Sequence, residues 1–185
     1  MKARNVFITG ASSGIGKATA YKFAEYGDNL ILCARRKENL NEIAQDIKNK
    51  WRSHVDIYEL DVTNYEDVSS VVKDLEDKDI KIDILVNNAG LASGLDKFQD
   101  SSIEDIERMI NTNLKGLIYV TRKVIEKMAG ENSGHIINMG STAGIYAYEK
   151  AAVYCASKAA VKTLSDGIRI DIIDKDIKIT TIQPG

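Results

Sequence analysis

Residues 9–16 read Thr9-Gly10-Ala11-Ser12-Ser13-Gly14-Ile15-Gly16, between the short β-branched run Asn5-Val6-Phe7-Ile8-Thr9 and a stretch, Lys17 to Tyr26, that reads as a helix. Glycines at such a turn answer a physical need. One allows the tight turn, while the others let the backbone approach a pyrophosphate and let the helix pack on its strand, with free N–H groups and the helix dipole facing the anion. A phosphate would sit at the first turn of that helix. The spacing is Gly-x-x-x-Gly-x-Gly rather than Gly-x-Gly-x-x-Gly, and alone it also suits a strand-to-helix turn that binds nothing.

Outward from this turn, Leu30-Ile31-Leu32, Val55-Asp56-Ile57-Tyr58, Ile84-Leu85-Val86, Ile136-Ile137-Asn138 and Ile177 to Ile182 alternate with longer amphipathic stretches. Parallel strands need a crossover long enough to hold a helix, and such crossovers are right-handed. The pattern therefore predicts an α/β doubly wound parallel sheet, a Rossmann fold of about six strands with helices on both faces. No linker, repeat or low-complexity tract interrupts it, so residues 1–185 are expected to form a single dinucleotide-binding and catalytic domain. From Ser101, which with Glu104 has capping-box spacing, Ile103, Ile106, Ile110, Leu114, Leu117, Thr121, Val124 and Met128 predict one long helix. Ile177 to Ile182 reads as a central strand rather than a protected edge.

With 44% hydrophobic and 28% charged residues, the chain is neither disordered nor collagen-like. A net charge of −2 argues against nucleic acid or an anionic membrane as partner and points to a small-molecule substrate. Its apolar runs fall far short of the roughly 20 residues a bilayer span needs. The opening Met1-Lys2-Ala3-Arg4-Asn5-Val6 lacks the features of a signal peptide, so a cytoplasmic location is expected. Cys33 and Cys155 stand far apart without metal-ligand spacing, which predicts two buried thiols, no disulfide framework and no metal. His54 and His135 have no clustered ligands and receive no role.

Tyr154 and Lys158 are four apart within Ala151 to Asp166, which reads as helical, so phenol and ammonium share one face. Unit charges about 4 Å apart at an effective dielectric of about 20 attract by about 4 kcal/mol, which suits such a pair to proton transfer. An isolated Tyr-x-x-x-Lys is equally a surface tyrosine beside a solvated lysine. Ser141 follows the strand His135 to Met139, at the carboxyl edge where open α/β sheets bind ligands; within Gly140-Ser141-Thr142-Ala143-Gly144 it also suits a simple turn.

In this order the segments resemble the short-chain dehydrogenase/reductase family over essentially the whole chain. Gly10, Ser12, Ser13, Gly14, Ile15 and Gly16 look like its cofactor loop, Asn87-Asn88-Ala89-Gly90 like its fourth-strand signature, Ser141, Tyr154 and Lys158 like its catalytic set, and Pro184-Gly185 like the turn after its sixth strand. The resemblance implies that Asn87, Ala89, Gly90, Tyr154, Lys158, Pro184 and Gly185 contact the cofactor and that Asp61 and Val62 lie beside the adenine. It also implies that Asn113 is the fourth catalytic residue, anchoring a water that links Lys158 to solvent. Asn113 falls on the apolar stripe of its helix, where a buried amide needs a hydrogen-bond partner, and a bond to nearby backbone is a compatible structural role. Asp61 is equally a turn aspartate before Thr63-Asn64.

Leu32-Cys33-Ala34-Arg35-Arg36 ends the second strand with no acid to bond a ribose 2′-hydroxyl and with two guanidiniums suited to a 2′-phosphate, which favours NADP(H) as cofactor. A solvated basic helix start is the plainer reading. Asn87 to Gly94 and His135 to Gly144 look most like the NADP-dependent 3-hydroxy acid branch. That implies an oxidoreductase passing hydride between NADP(H) and a carbonyl or secondary alcohol, with serine or allo-threonine as the kind of substrate. No cationic partner for such a substrate's carboxylate is evident among these residues. The alternative is a noncatalytic NADP(H)-binding sensor module. Family members pair into homodimers or homotetramers through the helices carrying the Asn113 and Tyr154 counterparts. They also continue for several dozen residues past Pro184-Gly185, through a substrate lid, a helix and a seventh strand, so the C-terminal part of the family fold is missing from these residues.

Overall fold

The architecture follows from strands that are apolar on both faces. In the computed structural model, which describes residues 3–185, the strands are β1 (Asn5–Thr9), β2 (Asn29–Ala34), β3 (Val55–Glu59), β4 (Ile84–Asn87), β5 (Gly134–Met139) and β6 (Ile177–Ile182). Met1 and Lys2, with which the single-domain expectation begins, lie outside the described residues. The strands form one parallel sheet in the order β3-β2-β1-β4-β5-β6, the doubly wound arrangement expected. Successive side chains of a strand point to opposite faces, so Val6 and Ile8 enter one core with Leu30 and Leu32, and Phe7 enters the other with Ile31 and Leu85. Each face needs a helical cover to stay dry.

The helices are α1 (Gly14–Glu25), α2 (Lys37–Trp51), α3 (Tyr65–Asp77), α4 (Ile103–Ile110), α5 (Leu117–Glu131) and α6 (Ala152–Asp171). Leu40, Ile43, Ala44 and Ile47 make the buried stripe of α2, and α1 approaches closely through Gly16, Ala20 and Ala24. On the other face Val68, Val71, Val72 and Leu75 of α3 pack with Val120, Val124 and Met128 of α5. Asn64 caps α3 by accepting from the backbone N–H groups of Glu66 and Asp67.

Two expectations change. The long helix from residue 101 is two helices joined by a π-helical segment, Asn111–Gly116, and its cap is Ser102, whose Oγ accepts from the Asp105 N–H at 3.1 Å, rather than Ser101. Ile103, placed on the apolar stripe, is 69% exposed; Leu117, Thr121, Val124 and Met128 are buried as expected, and Met109 and Asn113 take the buried positions before them. Within residues 3–185, β6 pairs with β5, burying Ile177 and Ile179 while Lys178, Thr180 and Ile182 face outward.

A polar chain runs through the apolar interior beneath the carboxyl edge. Asn87 of β4 donates to Thr121 Oγ1 of α5 at 2.8 Å and to Asn138 Oδ1 of β5 at 2.9 Å. Asn138 Nδ2 donates to Ser165 Oγ of α6, and that hydroxyl donates to the Val161 carbonyl. Removing one member strands buried partners, which costs more than the bond's net worth. Asn138→Ala should destabilise the fold by about 2 kcal/mol and lower the melting temperature by about 4–8 °C. A thermal melt followed by circular dichroism checks this; an unchanged Tm would show that the chain carries no net stability.

Candidate active site

A cavity of about 950 Å³ opens at the carboxyl ends of the strands, where the connections of a doubly wound sheet part to either side. The β1–α1 turn forms one wall. Gly10, Ser12, Ser13, Gly14 and Ile15 line it, and Gly14, with φ +53°, has nothing within 4 Å of where a Cβ would stand. Gly16 does not line the cavity. It packs beneath the turn, where any Cβ would collide with the Gly10 carbonyl, so its role is to let α1 close on β1.

Asn88, which the sequence reading passed over in favour of Asn87, fastens this wall. Asn87 is still within β4, 3% exposed and committed to Thr121 and Asn138, so it does not reach the cavity. Asn88, one residue on, turns toward β1: its Nδ2 donates to the Thr9 carbonyl at 3.0 Å and the Gly10 carbonyl at 3.1 Å. Thr9 Oγ1 accepts from the backbone N–H groups of Asn88 and Ala89. The tip of β4 is thereby bound to the glycine turn, with Ala89 and Gly90 on the cavity surface.

Arg35 and Arg36 line the cavity after β2. The Arg36 guanidinium donates to Ser12 Oγ at 3.2 Å and Ser13 Oγ at 3.0 Å, bridging the two turns. Asp61 and Val62 line it after β3, and Asp61 Oδ1 also accepts from the Thr63 N–H and hydroxyl, the turn role raised from the sequence.

The opposite wall brings Ser141, Tyr154 and Lys158 together with Pro184 and Gly185. Ser141 begins a single 3₁₀ turn, Thr142–Gly144, and its Oγ accepts from the Ala143 N–H at 3.1 Å and lies 3.5 Å from the Pro184 carbonyl. Gly144 lets this turn sit on the Lys158 backbone, since a Cβ would come within 2.7 Å of the Lys158 carbonyl carbon. Lys158 Nζ lies 5.9 Å from the Tyr154 ring centroid and donates to the Met139 carbonyl at 2.8 Å. Its ammonium is 7% exposed, and burial holds its pKa below the usual lysine value.

Asn113 does not line the cavity. It is 1% exposed at the π-helical segment, its Oδ1 accepting from the Leu91 N–H and its Nδ2 donating to the Leu91 carbonyl and to Ser157 Oγ. Both amide hydrogens are spent on protein partners, so the side chain braces Leu91 against α6, the compatible structural role raised from the sequence. Leu91, Ala92, Thr112, Met139 and Gly140 also line the cavity, none of them marked by a sequence signal beyond adjacency to a motif. Among the described residues no group of three or more potential metal ligands is present, and no helix is long and apolar enough to cross a membrane.

Residues 4–185 match the short chain dehydrogenase family, and the chain belongs to it. It is therefore built as an oxidoreductase. Over all of its length the chain is 39% identical to 72% of the NADP-dependent 3-hydroxy acid dehydrogenase of Schizosaccharomyces pombe. It is 41% identical, over 97% of its length and 71% of the relative's, to the enzyme of that name from Escherichia coli K12. The solved closed form of serine dehydrogenase complexed with NADP+ superposes with a TM-score of 0.91 at 41% identity, covering 98% of this chain and 71% of that one.

The buried ammonium makes stability depend on pH. With its folded pKa below the usual 10.5, Lys158 binds fewer protons folded than unfolded, so its burial cost is full at neutral pH and is relieved as pH rises toward 10.5. The Tm of the native protein minus that of Lys158→Met should therefore increase from pH 7 to pH 10. A flat difference would mean that folding leaves the ammonium as solvated as in the unfolded chain.

Proposed function

We propose that this chain is an NADP-dependent dehydrogenase that interconverts a short 3-hydroxy acid, of the serine or allo-threonine kind, and the corresponding carbonyl compound. The observation that carries this reading is one continuous cavity with a glycine turn and two guanidiniums at one end and Ser141, Tyr154 and Lys158 at the other. The donor set suits NADP: open space over Gly14 beside the start of α1 for phosphate, and Arg35 and Arg36, with no carboxylate directly after β2, for a 2′-phosphate. The printed names of the relatives point the same way.

When bound, the nicotinamide supplies or accepts the hydride. In the reductive direction the Tyr154 hydroxyl gives its proton to the substrate oxygen, and Ser141 Oγ donates a hydrogen bond to that oxygen as charge develops on it. The Lys158 ammonium, fixed on the Met139 carbonyl, faces the phenol from one helical turn away and attracts the negative charge left on it. Asn113 contributes by position. The buried, unpaired thiols of Cys33 and Cys155 accord with a reducing cytoplasm. Self-association through α4, α5 and α6 belongs to the same reading, since Ile103 and Ile118 leave apolar surface there.

Turnover of NADP with a panel of serine, allo-threonine and 3-hydroxybutyrate-type acids tests the assignment. Tyr154→Phe should abolish it while leaving NADPH affinity within about twofold; an unchanged rate would remove Tyr154 from the reaction, and tight NADPH binding by the native chain without turnover would favour a sensor. Arg35→Ala should weaken NADPH binding by roughly tenfold to a hundredfold, as expected for a lost charge-assisted bond, and leave NADH binding unchanged. Light scattering of the native chain reads the assembly, and a monomer at working concentration would refute pairing.

A further inference from the structure

The two catalytic-face helical systems, α4–π–α5 and α6, meet at a residue to which no role has yet been given. Ser157 is 1% exposed, one residue before Lys158 and three after Tyr154. Its hydroxyl donates to the Tyr154 carbonyl at 2.7 Å and accepts from Asn113 Nδ2 at 3.1 Å. A serine inside a helix commonly bonds back to its own helix, and that alone would be local. The second bond makes it a joint between elements. The same Asn113 amide holds Leu91, at the cavity wall after β4, by both its N–H and its carbonyl at 2.8 Å. One hydroxyl and one amide thus lock three segments together: the loop after β4, the π-helical segment and the first turn of α6.

We infer that Ser157 is a positioning residue for Tyr154, holding the α6 turn that carries the phenol in register with the Asn113 segment and with Leu91. This rests on the role given to Tyr154 above. The geometry favours it over simple packing. The hydroxyl is satisfied as donor and as acceptor in a dry environment, and every bond it makes ends on a segment of the catalytic wall. Its partners belong neither to the glycine turn nor to the Arg35-Arg36 pair, so its loss should leave that end of the cavity undisturbed.

The test compares the native chain with Ser157→Ala, Ser157→Cys and Ser157→Thr. Alanine removes the hydroxyl, cysteine keeps the size with a weak bonding group, and threonine keeps the hydroxyl. The alanine and cysteine variants should lose roughly a hundredfold in kcat, the scale of an ångström's misplacement, with KM for substrate and Kd for NADPH within about twofold, and threonine should restore kcat to within about fivefold. Unchanged kcat in Ser157→Ala, or a loss that tracks NADPH affinity instead of the hydroxyl, would overturn the inference. Hydrogen exchange supplies a readout independent of turnover: Ser157→Ala should speed exchange at the Leu91 amide and at residues 154–158 and leave α1 and α2 unchanged. If the native chain turns over nothing in the panel, the assigned activity fails, while the exchange pattern still decides the joint. Unaltered exchange at Leu91 would refute it.

Discussion

Everything at the functional end depends on a parallel sheet that is covered on both faces. Buried strands admit few polar side chains, and every crossover must leave and re-enter at the sheet's ends. Groups that do chemistry are thereby confined to the carboxyl edge, contributed by the segments that follow β1, β2, β3, β4, β5 and β6. Because those segments come from distant parts of the sequence, their relative placement becomes the main structural problem. The hydrogen-bond pattern shows how it is met. Asn88 ties the β4 tip to the glycine turn, Arg36 ties that turn to the start of α2, and Asn113 ties the loop after β4 to α6 through Ser157.

Two of these fasteners, Asn88 and Asn113, share a design: each is a short amide beside the open cavity that satisfies backbone groups at or past the end of a strand. Asn87 and Asn88 show the boundary within two residues. The first lies inside β4 and joins the interior chain through Asn138 to Ser165; the second lies just outside and serves the cavity wall. The period of two that sends strand side chains to opposite faces assigns them to these different tasks.

That distinction also explains what could be read from the sequence. All six strands were legible because their apolar runs have no other stable environment, and the glycine turn because close approach of α1 to β1 tolerates no Cβ at Gly16. The π-helical segment was hidden. Apolar spacings of three and four are insensitive to one extra residue in a turn, so Ile103 and Ile106 passed as part of the stripe although the buried line runs through Met109, Asn113 and Leu117. Motif boundaries hid the rest: no periodicity separates Asn87, inside β4, from Asn88, just past it, and nothing in the sequence marks Leu91 as the partner of Asn113.

The π-helical insertion then acquires a structural reason. One wider turn carries Asn113 inward between Met109 and Leu117 while Gly116 packs directly against Val62, which lies on the cavity wall. At that turn the buried amide makes three hydrogen bonds, one accepted and two donated. The two donated hydrogens saturate Asn113 as a donor. In the proposed reaction the buried amide and the Ser157 hydroxyl position while the half-open Tyr154 phenol reacts, so a change at either class of residue would reach turnover by a different physical route.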